Sequence, residues 1–383
     1  MRILFDATPL QTGHRARGIG TYTRELLRAL LALDSDNDYL LVVHGGETEL
    51  CRDLALSSLP ARVALLSLPK PPLGRFTGFA SHQAALPLLL RQQKADLFHV
   101  PGFVAAFSVP GIPWRVSQPL VVTLHDFLPL RMPELFNDKA INRIWYARQM
   151  AAARRAARLI CVSQATRADA IEMLAAPADR CVVVHEGVDR EVFHPASGSS
   201  VTAAAWPFIL FVGGSFANKN RQGALAAFVR LVSASTLPHH LVLVGQDDLP
   251  DAALAAAYPG LDVRRVHRLA AVSQDELARL FRDADLFLFP SLSEGFGLPV
   301  LEAMASGVPV VTSSISSLPE VAGDAAVLVD PTDTDALAAA MGQVLADRAQ
   351  HDRLRLAGLA RAARFTWQAA AQQTLAVYRS VVR

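Results

Sequence analysis

Short apolar runs alternate with longer amphipathic runs along the first half of the chain. Residues 1–5 read as a buried strand, residues 18–33 as a helix and residues 39–44 as a second strand. This strand–helix–strand order is typical of a parallel sheet, whose strands are apolar on both faces. Residues 96–100 and 119–124 predict two further strands. Ligands of such sheets bind at the carboxyl ends of strands, so the polar residues that follow these runs are candidate site residues.

The second half of the chain repeats the alternation after a predicted linker. Residues 196–200 are Ala-Ser-Gly-Ser-Ser, a small and polar stretch. We therefore predict one domain over residues 1–195 and another over residues 201–366. Strands are predicted over residues 208–212, 240–244, 262–266, 286–289, 308–312 and 326–329. The predicted fold class is α/β, with two Rossmann-like, doubly wound parallel-sheet domains and a ligand cleft between them.

Composition and charge narrow the class of protein. The 383 residues are 51% hydrophobic and 19% charged, which favours two well-packed globular domains over a disordered or fibrous chain. The net charge of +2 gives no reason to expect nucleic-acid binding. Three widely spaced cysteines without a metal-ligand pattern predict reduced thiols in the cytoplasm. No signal peptide and no membrane-spanning run are predicted.

The stretch from Pro290 to Gly307 carries the most chemical information. It joins a predicted strand to a helix, and Gly295 and Gly297 free its backbone for close approach to a ligand. The amides at the start of that helix would attract an anion. Glu294 precedes the helix and Glu302 lies one turn inside it, so the two carboxylates can reach opposite ends of one elongated ligand with sugar hydroxyls. The alternative is an ordinary strand-to-helix turn that Glu294 caps.

A second glycine turn follows the strand at residues 208–212. Gly213, Gly214 and Ser215 lead to Lys219 at the start of a predicted helix. A cation beside a phosphate-sized anion site would neutralise charge on a leaving group. Taken alone, such a lysine is more often a solvated surface residue.

Two features in the first half are weaker candidates. His125 and Asp126 end the predicted strand at residues 119–124, where a histidine can donate a hydrogen bond to a substrate hydroxyl or serve a structural role. Arg17, Gly18 and Gly20 open the first helix. This loop lacks the full dinucleotide fingerprint, so it predicts contact with an acceptor or a phosphate rather than with a whole cofactor.

The charge between residues 139 and 168 is strongly one-sided. This stretch has no acidic residue and seven basic ones, namely Lys139, Arg143, Arg148, Arg154, Arg155, Arg158 and Arg167. With apolar residues interleaved, it could rest on an anionic membrane surface or face a phosphate-bearing acceptor. It could equally be a solvated helix face.

At these residues the sequence resembles the retaining glycosyltransferases of family four, which have the two-domain GT-B fold. The main match is Glu294 to Glu302, the family's pair of glutamates separated by seven residues, within Glu-Gly-Phe-Gly-Leu-Pro. Further similarity runs through residues 184–189, 316–324 and 330–331, and so covers nearly the whole chain. The Arg17 loop and His125-Asp126 resemble members that transfer mannose or related sugars in bacterial polysaccharide assembly.

The resemblance implies transfer of a sugar from a nucleotide diphosphate sugar to a hydroxyl of a glycan or lipid-linked acceptor. The anomeric configuration would be retained, with no cofactor or metal required. The donor would bind the second domain and the acceptor the first, and a last helix over residues 367–383 would return to the first domain. Stabilising the departing diphosphate is then the main chemical task.

The resemblance also assigns roles to individual residues. Glu302 would hold the ribose, Glu294 the transferred sugar and Lys219 the diphosphate, while His125 would contact the sugar near the reacting carbon. The remaining donor-binding residues would be Gly213, Gly214, Ser215, Val272 and Gly295, and the backbone amides of Phe296, Gly297 and Leu298 would contact the sugar and phosphates.

Three positions depart from the family's pattern. Gly214 and Asn218 stand where many relatives have arginines, which would make the diphosphate depend more on Lys219 and on backbone amides. Glu186 stands where many relatives have asparagine. The sequence offers no physical reason for that last change.

Other functions remain open at this point. A nucleotide-sugar epimerase or a phosphorylase could use the same scaffold, although no pyridoxal lysine setting is evident. A non-enzymatic sugar-nucleotide sensor would bind the donor without turnover.

Overall fold

The computed structural model describes residues 1–11, 18–44, 46–54, 56–68, 83, 85–103, 111–135, 140–196, 206–214, 216–245 and 250–382. Arg17, Lys139 and Ser215 lie outside these ranges, as do residues 197–200 of the predicted linker and the terminal Arg383. The chain divides into two compact units. Unit 1 comprises Met1–Gly187 and Trp367–Arg383, and unit 2 comprises Val188–Thr366.

Unit 1 is built around a seven-stranded, all-parallel sheet. Its strands are β1 (Arg2–Asp6), β2 (Asp38–Val43), β3 (Val63–Ser67), β4 (Leu97–Val100), β5 (Leu120–Leu124), β6 (Arg158–Cys161) and β7 (Cys181–Val183), in the spatial order β3-β2-β1-β4-β5-β6-β7. The helices are α1 (Gly18–Leu33), α2 (Glu47–Asp53), α3 (Leu86–Gln92), α4 (Leu128–Arg131), α5 (Ala140–Ala153) and α6 (Gln164–Met173), with 3₁₀ turns at Thr8–Gln11, Pro133–Leu135 and Ala178–Arg180.

Unit 2 is built around a six-stranded parallel sheet. Its strands are β8 (Phe208–Val212), β9 (His240–Val244), β10 (Val266–Leu269), β11 (Leu286–Phe289), β12 (Val310–Ser313) and β13 (Val327–Val329), in the order β10-β9-β8-β11-β12-β13. The helices are α7 (Arg221–Ala234), α8 (Asp251–Ala257), α9 (Gln274–Asp283), α10 (Leu298–Ala305), α11 (Leu318–Ala322), α12 (Thr334–Ala346) and α13 (Arg348–Ala362), with 3₁₀ turns at Ala217–Lys219 and Val263–Arg265.

Both sheets are doubly wound, as predicted from the alternation of apolar and amphipathic runs. The strand order reverses between β1 and β4 in unit 1 and between β8 and β11 in unit 2. The loops that leave the two neighbouring strands diverge at such a reversal, which opens a crevice at the carboxyl edge of the sheet. A ligand of either unit is therefore expected to bind at this edge of its sheet.

The second unit begins earlier than the predicted domain boundary. The N–H of Val188 donates to the carbonyl of Phe365 at 3.2 Å, and the Phe193 ring packs edge-on against Phe281 with 6.0 Å between centroids. Both contacts lie within unit 2. Residues 188–195, predicted to end the first domain, therefore belong to the second unit.

The last helix, α14 (Trp367–Val381), belongs to unit 1 and packs against α1. The buried Tyr378 hydroxyl lies 2.6 Å from Nδ1 of His99, and Nε2 of His99 lies 2.9 Å from the Thr123 hydroxyl, which pairs with Tyr22 at 3.1 Å. Burial lowers the pKa of His99 to about 3, so its ring is neutral. The neutral ring donates from one nitrogen and accepts at the other, so it bridges the Tyr378 and Thr123 hydroxyls.

Predicted and observed elements agree best where apolar runs are long and bounded by turns. Helix α1 and strands β8, β9 and β11 have the predicted bounds. The strand predicted over residues 262–266 is wrong, because β10 begins only at Val266. The Asp262 side chain accepts the N–H of Arg264 at 3.1 Å and turns residues 263–265 into a 3₁₀ segment. Within the described ranges, no helix is both long and apolar enough to cross a membrane.

Candidate active site

The switch point of unit 2 brings Lys219 and Glu294 together. Lys219 ends the 3₁₀ turn after β8, and Glu294 lies in the loop after the neighbouring strand β11. The Lys219 ammonium donates to Glu294 Oε1 at 2.7 Å and lies 5.0 Å from the centroid of the Phe289 ring. The two side chains keep 20% and 11% of their surface exposed. An incoming anion can therefore reach this ammonium group.

Three glycines hold the backbone close to Lys219. The amides of Gly213 and Gly214 both donate to the carbonyl of Val244, at 3.1 and 3.2 Å. A Cβ atom on Gly213 would lie 2.9 Å from the Lys219 side chain, and one on Gly245 would lie 2.4 Å from the Gly214 Cα. The predicted glycine turn thus serves packing: only glycine lets the lysine stem and two loops approach so closely.

Asn218 explains one departure from the family's pattern. Its side chain is buried, and its amide donates to the carbonyl of Ser293 at 3.0 Å. Its own carbonyl accepts the N–H of Leu292 at 2.7 Å. Asn218 therefore ties the Lys219 turn to the loop that carries Glu294, which gives the asparagine at this position a structural role.

Two serines fix the backbone of Glu294. The Ser316 hydroxyl accepts the N–H of Glu294 at 3.0 Å and donates to its carbonyl at 2.6 Å. Ser317 donates to the carbonyls of Glu294 and Phe296, at 3.0 and 2.7 Å. Ser316 holds a positive φ of 63°, an uncommon conformation for a residue with a side chain. These hydrogen bonds thus hold the loop around Gly295 in one backbone conformation.

Helix α10 begins at this loop. Gly297 has φ 113°, and a Cβ there would meet Leu318 at 2.6 Å. Among the described residues, no acceptor faces the amides of Gly297 and Leu298. Glu302 lies one turn inside the helix and is half-buried. Two amides and one carboxylate are therefore presented along the start of α10.

Two other predicted donor residues are Phe296, whose backbone amide in this same loop is the predicted contact, and Val272. The Phe296 ring is buried and packs edge-on against Phe365, 5.9 Å between centroids, so its side chain belongs to the core. Val272 follows β10 and immediately precedes Ser273, the residue that caps α9. It lies at the same edge of the sheet, two strands from β8.

In unit 1, His125 follows β5 and its ring is held at both nitrogens. Nδ1 lies 3.2 Å from Glu186 Oε1, and Nε2 lies 2.8 Å from the carbonyl of Pro101. Glu186 is 4% exposed. The structure thus gives a reason for the glutamate at this position, which the sequence did not.

This arrangement favours the charged imidazolium form of His125. Burial acts to lower the pKa of His125, but the hydrogen bond and negative charge of Glu186, with the Pro101 carbonyl, outweigh it and raise the pKa. Both ring nitrogens face acceptors, and only the protonated ring can donate to both. A direct hydrogen bond from this ring to a substrate would require one of these partners to be exchanged.

The start of α1 lies beside His125. A Cβ on Gly102 would come 2.9 Å from Ile19 and 3.0 Å from the His125 ring. Gly18 and Gly20 occupy the first turn of α1, and a Cβ on Gly18 would meet nothing within 4 Å. The close approach of α1 to His125 therefore depends on Gly102, and Gly18 does not constrain it.

Asp126 plays a local role in the described structure. It is exposed, and its Oδ1 accepts the N–H of Leu128 at the start of α4, at 3.0 Å.

Sequence reasoning missed three residues around His125. Glu186, Gly102 and Tyr22 come from separate parts of unit 1; the Tyr22 ring lies edge-on to His125 with 4.7 Å between centroids. Glu186 did carry a signal, because a glutamate where many relatives have a neutral amide suggests a basic partner. In the part of the chain described, no three His, Cys, Asp or Glu side chains form a group that could hold a metal ion.

Each half of the chain matches a known protein family. The family described as Glycosyltransferase Family 4 matches residues 16–192, and the one described as Glycosyl transferases group 1 matches residues 207–347. The two matches correspond to most of unit 1 and most of unit 2.

Similar proteins agree with this assignment. O-antigen chain mannosyltransferase B of Escherichia coli is 31% identical over 99% of this chain and 100% of its own length. The MMP alpha-(1->4)-mannosyltransferase of Mycolicibacterium hassiacum is 35% identical over 70% of this chain and 67% of its own. Among solved structures, Anabaena HepE in complex with UDP-glucose superimposes with a TM-score of 0.72 at 20% identity, covering 99% of this chain and 100% of HepE.

The predicted fold class, family and enzyme class are thereby confirmed. The chain belongs to glycosyltransferase family four, the retaining hexosyltransferases, and its two parallel-sheet α/β units have the GT-B fold.

Proposed function

We propose that this enzyme transfers a hexose, with mannose favoured, from a nucleotide diphosphate sugar to a hydroxyl of a glycan or lipid-linked glycan in cell-surface polysaccharide assembly. The choice of mannose is supported by the two similar mannosyltransferases, one of which acts on the O-antigen chain. The nucleotide-sugar donor is supported by the UDP-glucose complex of HepE. GDP-mannose and UDP-sugars are therefore the donors to test first.

One observation carries the donor site: the Lys219–Glu294 pair at the switch point of unit 2, beside the amides of Gly297 and Leu298. Lys219 binds the diphosphate and neutralises the negative charge that develops on it as the glycosidic bond breaks. Glu294 binds hydroxyls of the transferred sugar, and Glu302 binds the ribose. Glu294 is not assigned as a nucleophile, because the carboxylate released by the incoming diphosphate binds sugar hydroxyls in this proposal.

The arrangement of the pair suggests how the donor is received. Without donor, Glu294 holds the Lys219 side chain in place at 2.7 Å. A diphosphate brings more negative charge than one carboxylate, so it takes over the ammonium group and releases Glu294 for the sugar. Gly213, Gly214 and Gly245 provide the close backbone packing, and Val272 borders the site at β10; Ser215 remains a predicted donor contact.

In unit 1 we assign His125 to the transferred sugar and the Gly18–Gly20 turn, with Arg17 and Asp126, to the acceptor. A sugar that loses its leaving group becomes oxocarbenium-like and carries positive charge. An isolated imidazolium would repel that charge. Glu186 balances it, so the pair can present polar groups without a net charge.

We also propose that the enzyme works in the cytoplasm with peripheral contact to an anionic membrane. The three cysteines are free thiols, as expected in a reducing compartment. The membrane contact rests on the one-sided basic charge between residues 139 and 168.

A donor panel tests the donor assignment. GDP-mannose, UDP-glucose and ADP-glucose are added to the protein without metal, and thermal unfolding is followed. A donor at ~100 times its Kd stabilises the native state by about 2.7 kcal/mol, a shift of several degrees. Lys219→Ala should lose that shift, while Lys94→Ala, which removes an exposed lysine of unit 1, should keep it. No shift with any donor, or equal shifts in both variants, would contradict the assignment.

A further inference from the structure

A cavity at the amino edge of the unit 1 sheet gathers arginines from four separate segments. The cavity has a volume of about 710 Å³. Its arginines are Arg91, Arg115, Arg155, Arg158 and Arg180. None of its lining residues is acidic, and among the described residues none of these arginines pairs with a carboxylate. Five uncompensated cations around one concave surface make an anion site.

The cavity is separate from the candidate active site. It is bordered by the residues that begin β5 and β6, such as Leu120 and Arg158, whereas His125 follows the other end of β5. A five-residue strand spans roughly 17 Å. A group bound in the cavity would therefore sit one strand length away from the residues assigned to the sugar.

Apolar side chains lie exposed next to the arginines. Trp114 lines the cavity and is 46% exposed, with the Arg148 guanidinium 5.3 Å from its ring centroid. Leu88, beside the lining residue Pro87 on α3, is 62% exposed. A soluble anion needs no such apolar rim. Tryptophan and leucine beside basic groups are typical of side chains that enter the interface of a bilayer.

Helix α5 extends the same surface. Ile141 and Ile144 are 45% and 58% exposed, and with Arg148 they follow the spacing i, i+3 and i+7 on this helix. Residues with these spacings share one face of a helix. The face runs from the exposed isoleucines to Arg148, whose guanidinium lies over Trp114 of the cavity, and so joins the apolar and basic surface of the helix to the cavity.

We propose that this cavity binds the phosphate of an anionic lipid headgroup and thereby docks unit 1 on the bilayer. The inference rests on the membrane contact proposed above and assigns it a defined phosphate site in place of a diffuse basic surface. The arginines grip the phosphodiester, while Trp114 and the exposed isoleucines enter the interface.

Vesicle binding tests the proposal. Vesicles of phosphatidylcholine with about 30% phosphatidylglycerol are compared with pure phosphatidylcholine vesicles, without sugar donor. The wild type should bind only the anionic vesicles. Arg115→Ala/Arg155→Ala should weaken that binding about 30-fold, because each basic residue near the surface contributes about 1 kcal/mol. The control, Arg52→Ala/Arg379→Ala, removes two exposed arginines of unit 1 that neither line the cavity nor belong to the basic stretch 139–168, and it should change binding less than about threefold.

Each other outcome contradicts a defined part of the proposal. Equal losses in the two double variants would leave membrane contact standing and overturn the cavity as its site. No binding of the wild type to anionic vesicles would overturn both. Binding of inorganic phosphate that the Arg115→Ala/Arg155→Ala change abolishes, without vesicle binding, would assign the cavity to a soluble phosphate instead.

Tryptophan fluorescence gives a second readout that does not need the arginine variants. Trp114 is 46% exposed, whereas Trp145 and Trp367 are 2% and 6% exposed. Anionic vesicles should shift the emission of the wild type to shorter wavelength, and Trp114→Phe should remove the shift. A shift that persists in Trp114→Phe would place the bilayer elsewhere.

Discussion

Each unit places one basic side chain against one glutamate at the carboxyl edge of its sheet, but the two pairs are held differently. In unit 2 the Lys219 ammonium has one carboxylate partner at 2.7 Å and keeps a fifth of its side chain exposed. In unit 1 both nitrogens of His125 are engaged, at 2.8 and 3.2 Å, and Glu186 is buried. The first pair is poised to exchange its partner for a ligand, whereas the second fixes a ring in place.

The surroundings reinforce this difference. Tyr22 packs on the His125 ring and joins the buried chain of hydrogen bonds through Thr123 and His99 to Tyr378. The pair in unit 1 is thereby linked to helix α14. The remaining hydrogen bonds therefore distinguish a charged pair that can exchange one partner for a ligand from a pair that fixes the orientation of a ring.

Removing the exchangeable partner should have the largest effect. Lys219→Ala is expected to reduce transfer by about 30-fold or more, since at least ~2 kcal/mol of stabilisation of the departing diphosphate is lost. Steady-state kinetics with the donor found in the panel measures it. Lys94→Ala serves as the control, and wild-type-like turnover of Lys219→Ala would reject the role of this lysine.

Breaking the fixed pair should change stability and its pH dependence. The folded-state pKa of His125 is raised, so its contribution to stability is present below the unfolded pKa of ~6.5 and is lost as the pH rises through the folded pKa. Glu186→Gln should lower the free energy of unfolding by about 1–3 kcal/mol at pH 6 and flatten its fall toward pH 8. Denaturant unfolding at several pH values measures both.

The neighbours of His125 do not reverse that expectation. His99, with a pKa near 3, is neutral throughout this window, and Tyr22 is neutral because burial raises its pKa. Asp126 is charged and acts in the same direction as Glu186. An unchanged pH profile in Glu186→Gln would show that the carboxylate does not hold the proton on His125.

The hydrogen bond between Tyr378 of helix α14 and His99 should contribute a similar amount to the free energy of unfolding. Tyr378→Phe leaves the buried Nδ1 of His99 without its hydrogen-bond partner, which costs about 1–3 kcal/mol of folding free energy. Tyr258→Phe removes a hydroxyl whose bond to the Gln222 carbonyl is long, at 3.3 Å, and partly exposed, so it should cost less. Equal melting temperatures for the two variants would show that the Tyr378–His99 hydrogen bond does not stabilise the fold.

Alanine substitutions at two glycines of unit 1 should differ in their effect on the free energy of unfolding. Gly102→Ala would press a methyl group against Ile19 and His125, and we expect a loss of about 1–3 kcal/mol. Gly18→Ala meets open space at the start of α1 and should change stability by less than about 0.5 kcal/mol. Thermal unfolding of both variants suffices, and the reverse order would show that the glycine loop of α1, rather than Gly102, is the constrained one.

The sequence predicted unit 2 better than unit 1, for physical reasons. Two stretches of unit 2 are each local, because Gly213 and Lys219 follow one strand and Glu294 and Glu302 flank one helix start, so spacing relates the residues within each stretch. The family resemblance, and not spacing, brought Lys219 and Glu294 together across 75 residues. Glu186 and Gly102 reach His125 only through the pairing of separate strands, which spacing along the chain does not reveal. The sequence thus predicted that the candidate residues lie at the carboxyl edge of each sheet, but it did not predict which side chains would contact His125 there.

Short elements account for most of the fold that was missed. Strands β3, β6 and β7 were not predicted; β6 and β7 are only four and three residues long. Runs this short do not distinguish a strand from a loop or a helix end. The predicted strand over residues 262–266 failed because a side-chain hydrogen bond of Asp262 favoured a turn.

A crystal structure of the protein with an intact or non-hydrolysable donor tests the central claim most directly. The account predicts that the Lys219 ammonium leaves Glu294 Oε1 and lies ~3 Å from a diphosphate oxygen, with Glu294 on the sugar and Glu302 on the ribose. A donor bound with its diphosphate away from Lys219, and the Lys219–Glu294 pair still closed, would contradict it.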